Sequence, residues 1–175
     1  YIFVPKDSVA EALEDAIAAG VPAAAILTSG FGETGGSGKA EQQALVDRAR
    51  AAGMVLLGPN CLGLANLRAK APVTPIWLTE NMPNGGVAVI SQSGATAAVM
   101  TGYAVQQGVG LSAVVATGNE ADVTAIDIIE YLLASDETRV ITLFAETIND
   151  PDAFRRVARI AQETGKALVV LKVGT

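Results

Sequence analysis

Histidine is absent from this chain of 175 residues, and cysteine occurs once, at Cys61. Without imidazole, no residue here can serve as a histidine base, nucleophile or metal ligand. A lone cysteine excludes an intrachain disulfide and a cysteine-based zinc site, and it fits a reducing, cytoplasmic compartment. Charge is sparse as well: 17% of residues are charged, the net charge is −6, and no basic run occurs. That balance repels a nucleic-acid backbone. No stretch approaches the about 18 uninterrupted apolar residues that a membrane span needs. The opening Tyr1-Ile2-Phe3-Val4-Pro5 has neither the basic head nor the cleavage site of a signal peptide. It starts abruptly inside an apolar run and lacks an initiator Met, so we expect an excerpt of a longer polypeptide.

What is present is half hydrophobic and rich in glycine, with 18 of them. Short apolar runs alternate with amphipathic stretches. Strands are predicted at residues 2–4, 23–28, 54–57, 87–90, 111–116, 140–145 and 167–172. Helix signals fall between most of them. Ser8 with Glu11 reads as a capping box closed by Gly20, and a second helix is expected over 42–52. Asp122 can cap a helix that puts Ile126, Ile129 and Leu133 on one face. Asp150-Pro151 gives a cap followed by proline in the first turn, with Phe154, Val157 and Ala161 inward. This βα rhythm predicts an α/β protein of parallel sheets flanked by helices. The rhythm breaks where Pro72, Pro75, Trp77 and Pro83 cluster, which we read as a connection between two domains. Only three strands precede it, so the first domain reads as truncated.

In such folds ligands bind where strands end and helices begin. After the strand at 87–90, Ser91-Gln92-Ser93-Gly94 leads into an alanine-rich helix. Free N–H groups at a helix start, two hydroxyls and an unobstructed glycine suit a phosphate; a serine N-cap accounts for the same residues. In "GPNCLG", residues 58–63, proline, asparagine and two glycines permit tight turning. Cys61 there has no base or cation beside it to lower its pKa and reads as a small buried residue. In "GNEAD", residues 118–122, the polar side chains suit a cation or a tied loop. Glu146 ends a strongly apolar strand, where a carboxylate is costly unless paired or used. The glycine-rich "GFGETGGSGK", residues 30–39, matches no nucleotide-binding spacing and is expected to be a flexible surface loop.

Taken in order, "YIFVPKDSV", "ILTSGFGE", "GPNCLG", "VAVISQSGA", "ATGNEADV" and "FAETI" resemble the NDP-forming acyl-CoA synthetases, relatives of the succinyl-CoA synthetase α subunit. The likeness runs over the whole chain. It implies a partial Rossmann-like CoA-binding domain over 1–66, a connection over 67–84, and a flavodoxin-like domain over 85–175 that lacks its C-terminal end. The implied reaction interconverts acyl-CoA, NDP and phosphate with acid, CoA and NTP, through an acyl phosphate and a phosphohistidine. Matched position by position, Ser91, Ser93 and Gly94 hold the phosphoryl group, and Glu146 contacts the phosphohistidine. Val4, Pro5, Thr28 and Ser29 line the CoA site, and Asn60 and Cys61 lie near the CoA thiol and acyl group.

The resemblance further implies CoA, acyl-CoA and phosphate as ligands. The nucleotide (ADP or ATP) and Mg are bound mainly outside this segment, by an ATP-grasp domain or a β subunit in an oligomeric, cytoplasmic enzyme. The family's phosphohistidine is expected just past Thr175, so this piece alone is expected to be inactive. Two other readings stand beside this one. A non-catalytic acyl-CoA-sensing module of a lysine acetyltransferase shares the same motifs. A sugar-phosphate isomerase-type domain shares "ISQSGAT" but leaves "GPNCLG" and "GNEAD" unexplained.

Overall fold

The computed structural model describes residues 1–67, 69, 71–74 and 82–174. Pro75 and Trp77 of the expected connection, and Thr175, lie outside them.

The apolar runs become two sheets. The smaller pairs β1 (Ala23–Ala25) with β2 (Val55–Leu57) in parallel, extended by a bridge between Ile2 and Ile26. It packs on α1 (Val9–Ala18) and α2 (Ser37–Ala51) through Val9, Leu13, Ile26, Val46 and Leu56. The larger sheet has six strands in the order β4-β3-β6-β5-β7-β8. These are β3 (Gly63–Asn66), β4 (Ala71–Val73), β5 (Asn84–Ser91), β6 (Leu111–Ala116), β7 (Val140–Ala145) and β8 (Ala167–Lys172). From β6 to β8 all pairings are parallel, whereas β3 and β4 join antiparallel at one edge.

Helices cover both faces of the parallel part, as short crossovers between parallel strands require. On one face α4 (Ala125–Leu133) and α5 (Pro151–Glu163) bury Ile129, Leu133, Val157 and Ala161 against Ile90, Ile141 and Leu143. On the other, α3 (Gly94–Gln106) places Met100 and Ala104 near Val89 and Val114. Among the described residues no helix is long and apolar enough to cross a membrane.

Several local expectations hold. The Asp150 carboxylate accepts from the Ala153 N–H at 2.8 Å at the start of α5. β6, β7 and β8 occupy the residues that the apolar runs marked.

Others are corrected by contacts distant in sequence. The Ser8 hydroxyl makes no capping bond, because Ser8 ends a 3₁₀ turn (Lys6–Ser8) and is already helical at φ −98° and ψ −3°. Helix α4 is capped not by Asp122 but by Thr124, which forms a capping box with Asp127. Asp122 instead accepts from the Leu56 N–H at 2.9 Å and pairs with Arg50 at 2.8 Å. The glycine-rich stretch is no simple surface loop. It holds a 3₁₀ turn (Gly32–Thr34), and α2 begins at Ser37 with Gly38 buried beneath the Phe31 carbonyl. Finally, β3 at the end of the expected first domain and β4 within the expected connection both pair into the larger sheet and not the smaller one.

Candidate functional site

The connections of a parallel sheet leave a crevice where two adjacent strands send their helices to opposite faces. Here those strands are β5 and β7: α3 follows β5 on one face, and α5 follows β7 on the other. Ser91 pairs with Phe144 in their register. The residues just beyond, 92–94 and 146–147, therefore meet at the crevice. Ser93 is the N-cap of α3 and its Oγ accepts from the Thr96 N–H at 3.2 Å. The Gly94 and Ala95 N–H groups come too early in the helix to find an acceptor within it.

The smaller sheet closes the other side. Gly58 and Gly118 both adopt positive φ, +99° and +64°. At neither is there room for a Cβ: one on Gly118 would stand 2.5 Å from the carbonyl oxygens of Pro59 and Asn60. The "GPNCLG" and "GNEAD" loops consequently run backbone against backbone. Asn119 N–H donates to the Pro59 carbonyl at 2.9 Å and Ala121 N–H to the Gly58 carbonyl at 3.0 Å. Gly94 is equally constrained, since a Cβ there would lie 2.7 Å from Leu62 Cγ. Its lack of a side chain thus serves the approach of Leu62 as well as access to the helix start.

These loops enclose a cleft of about 430 Å³ lined by Asn60, Cys61, Ser93, Gly94, Asn119 and Glu146, among others. Five of the expected site residues therefore share one cavity: Asn60, Cys61, Ser93, Gly94 and Glu146. Ser91 is not on its wall. It is fully buried, donates to the Ser93 carbonyl at 2.7 Å and accepts from the Ser93 N–H at 3.1 Å, so it props the loop from beneath. Val4, Pro5, Thr28 and Ser29 do not line this cleft; they lie in the segments that follow Ile2 and Ile26, which bridge in parallel at the edge of the smaller sheet. The Thr28 hydroxyl donates to the Val4 carbonyl at 2.7 Å, and the Thr28 carbonyl accepts from the Asn60 N–H at 3.0 Å.

Among the described residues the cleft is lined by two carboxylates, Glu33 and Glu146, and by no lysine or arginine. Glu33, which sequence reasoning missed, arrives from the glycine-rich stretch 86 residues away and accepts from the Asn119 amide. It also accepts from the Gly30 and Phe31 N–H groups. Burial raises its pKa, but these donors together outweigh burial and hold it below the ordinary carboxylate value. Both of its oxygens are engaged. The Glu146 carboxylate, by contrast, has no partner among the described residues and is exposed to the cleft. Cys61 is 1% exposed, with its thiol donating toward the Ile26 carbonyl at 3.3 Å, and burial pushes its pKa up. That environment disfavours the thiolate, in line with a packing role.

Gln92 was not singled out by sequence reasoning, and Glu120, expected with the polar residues of "GNEAD" to bind a cation or tie a loop, ties loops together. The Gln92 amide oxygen accepts from the Glu146 N–H at 2.7 Å and the Thr147 N–H at 2.9 Å. Its nitrogen donates to the Thr147 carbonyl at 2.9 Å and to Glu120 at 3.1 Å. Glu120 has φ +53°, uncommon for a residue with a side chain. Burial pushes its carboxyl up; hydrogen bonds from Thr117, Ala125 and Gln92 oppose that, and Asp127 adds to it.

Residues 84–175 match the model of the succinyl-CoA ligase-like flavodoxin domain, and residues 1–67 match that of a CoA-binding domain. The chain is 39% identical over 173 residues to the α subunit of acetate–CoA ligase (ADP-forming) I from Pyrococcus furiosus, covering 99% of this chain and 37% of that one. It is 36% identical over 150 residues to the ADP-forming 4-hydroxybutyrate–CoA ligase of Nitrosopumilus maritimus, covering 85% of this chain and 22% of that one. It superposes on the dinucleotide-forming acetyl-coenzyme A synthetase 1 of Ca. Korarchaeum cryptofilum in complex with phosphate and ADP. There the TM-score is 0.87 and the identity 34%, over 99% of this chain and 37% of that chain. The chain thus spans well under half the length of these relatives.

Proposed function

The chain belongs to the succinyl-CoA ligase-like family, and from that premise we propose that it supplies the phosphoryl cradle and part of the CoA site of a larger NDP-forming acyl-CoA ligase. The observation that carries this reading is the cleft between β5 and β7, where a helix start and one unpartnered carboxylate face each other. The Ser93 hydroxyl and the Gly94 and Ala95 N–H groups are donors aimed at a site where a transferring phosphoryl group needs them. The dipole of α3 adds to the attraction for negative charge.

Charge refines the reading. Free phosphate meets Glu146 and no cation among the described residues of this cleft, so these walls alone hold it poorly. A phosphoryl group carried on an imidazole suits the cleft better, because the ring N–H gives Glu146 a donor to accept from. This chain has no histidine, so the imidazole comes from outside it. The acyl-CoA enters on the other side. Val4, Pro5, Thr28 and Ser29 form the CoA side, and Asn60 and Cys61 stand where the acyl carbon passes to phosphate. Phosphate displaces CoA from the thioester to give an acyl phosphate, whose phosphoryl group moves to the imidazole and then to NDP, releasing free acid.

Among the described residues no group of three or more acidic, histidine or cysteine side chains is placed to hold a metal ion. In this reading Mg and the nucleotide belong to an ATP-grasp domain or β subunit. The relatives it resembles act on acids as different as acetate and 4-hydroxybutyrate. The reading is tested in the intact ligase by labelling with γ-phosphate-labelled nucleoside triphosphate. Ser93→Ala and Glu146→Gln should each slow phosphoenzyme formation by tenfold or more, as loss of one transition-state donor commonly does by roughly 10²–10³. Undiminished labelling in both variants overturns it.

A further inference from the structure

The Glu146 carboxylate has no hydrogen-bond or ion-pair partner among the described residues, so its position depends on its own backbone. That backbone hangs on Gln92, whose amide oxygen takes the N–H groups of both Glu146 and Thr147. The amide nitrogen spends its two hydrogens on the Thr147 carbonyl and on one oxygen of Glu120. The other Glu120 oxygen accepts from the Thr117 hydroxyl at 2.7 Å and the Ala125 N–H at 3.0 Å. Thr117 is fully buried, and its N–H returns to the Ser91 carbonyl at 2.9 Å. Since Ser91 precedes Gln92 in the chain, the bonds close a ring through the loops after β5 and β6, and the loop after β7 hangs on that ring at Gln92.

We propose that Gln92 and Glu120 are positioning residues, a hydrogen-bonded relay that fixes Glu146 at the right distance from the Ser93 helix start. This inference rests on the reading of Ser93 and Glu146 given above. The ring has a required polarity. Position 92 must both donate and accept, because it faces two N–H groups on one side and two acceptors on the other. Position 120 must only accept, because all three of its partners are donors. An ionised glutamate meets that demand, and the left-handed backbone at Glu120 is the local strain the arrangement tolerates. Both hydrogens and both acceptor sites of the Gln92 amide are taken up within the protein, so its role is to hold the reacting group and not to touch it.

Reversing the polarity tests the relay in the intact ligase. Gln92→Glu sets two carboxylates against each other, and Glu120→Gln sets two amide nitrogens against each other. Each single variant should slow phosphoenzyme formation by tenfold or more and leave the KM for CoA within twofold. The double variant Gln92→Glu/Glu120→Gln restores a donor–acceptor pair between the positions and should recover the rate to within about threefold of the parent. The remaining deficit reflects the Thr147 carbonyl, which loses its donor. Hydrogen exchange at the Glu146 and Thr147 amides should quicken in Glu120→Gln and slow again in the double variant.

Three results overturn the relay alone, provided that Ser93→Ala and Glu146→Gln do slow the reaction. These are single variants with the parent's rate, a double variant no faster than the singles, or a KM for CoA that deteriorates in step with the rate. If Ser93→Ala and Glu146→Gln have no effect, the underlying reading of the cleft falls instead.

Discussion

Gly118 approaches Asn60 so closely that a Cβ at position 118 would lie 2.5 Å from the Asn60 carbonyl oxygen. This contact joins the two sheets at the level of the cleft. Backbone hydrogen bonds on either side of it, Asn119 to Pro59 and Ala121 to Gly58, leave no gap for a side chain. The seam beneath is apolar, with Ala25, Leu57, Cys61 and Val115 buried together. The wall carrying Asn60 is therefore held against the wall carrying Ser93 by main-chain geometry, which no surface substitution readily alters.

Two glycines separate strain from collision. Gly20 has φ +70° with nothing within 4 Å of a built Cβ, so Gly20→Ala meets only the left-handed backbone cost. That is about 1 kcal/mol. Gly118→Ala meets the same cost and a clash with two carbonyl oxygens besides, and should lose roughly 2–4 kcal/mol. Urea unfolding of both variants checks the ordering; equal losses would show that the loops simply move apart.

Ser91 and Ser93 look interchangeable in sequence, yet their substitutions should differ in kind. Ser91→Ala leaves the part-buried Ser93 N–H without its acceptor, while the Ser93 carbonyl keeps the Ala97 N–H at 2.9 Å. A loss of roughly 1–3 kcal/mol is expected from the stranded N–H. Ser93→Ala removes an N-cap, worth about 1 kcal/mol, and a hydroxyl on the cleft wall. Thermal unfolding should rank Ser91→Ala as the more damaging to stability. Ser93→Ala, in contrast, should lose far more phosphoryl transfer than its stability change explains.

Where the sequence was legible, the determinant was local. β6, β7 and β8 are apolar runs between turn signals, and α5 starts on an aspartate followed by proline. Ser93 and Glu146 were legible as strand-end residues, since they come directly after the runs that end at Ile90 and Ala145. Asp122 was read as a cap because its partners, Leu56 and Arg50, lie 66 and 72 residues away. Glu33 was hidden for the same reason, and the role of Gln92 depends on the residues after β7, which pairing with β5 brings beside it. The strands β3 and β4 escaped notice because prolines interrupt the region and the pairing that makes β3 a strand comes from β6.

The thiol of Cys61 should be silent in the native protein. It is buried, donates to a backbone carbonyl, and has its pKa raised, so the thiolate fraction near neutral pH is below that of a free cysteine. An aromatic disulfide reagent should label it slowly in the native state and rapidly in denaturant. Cys61→Ala should cost no more than about 1–2 kcal/mol, the order expected for a small buried side chain. It should also retain acyl transfer; loss of that step at unchanged stability would give the sulfur a chemical role.

Glu33 and Glu120 should make stability depend on pH in opposite directions. Glu33 has its carboxyl held below the ordinary 4.5 by its donors. Below that value the unfolded chain takes up its proton first, so the Glu33 contribution is complete above 4.5 and is lost as pH falls through the folded value. Glu120 has its carboxyl raised above 4.5 by burial. Between 4.5 and that raised value the folded state holds the proton more tightly, so stability falls as pH rises through the window. Unfolding free energies measured across the acid to neutral range should thus show a shallower acid-side loss for Glu33→Gln. Glu120→Gln should abolish the decline on the upper side while leaving the acid-side loss in place. A Glu120→Gln curve parallel to the parent's would mean that the buried carboxyl does not titrate in this range. The relay polarity would then be maintained without a proton ever entering the ring.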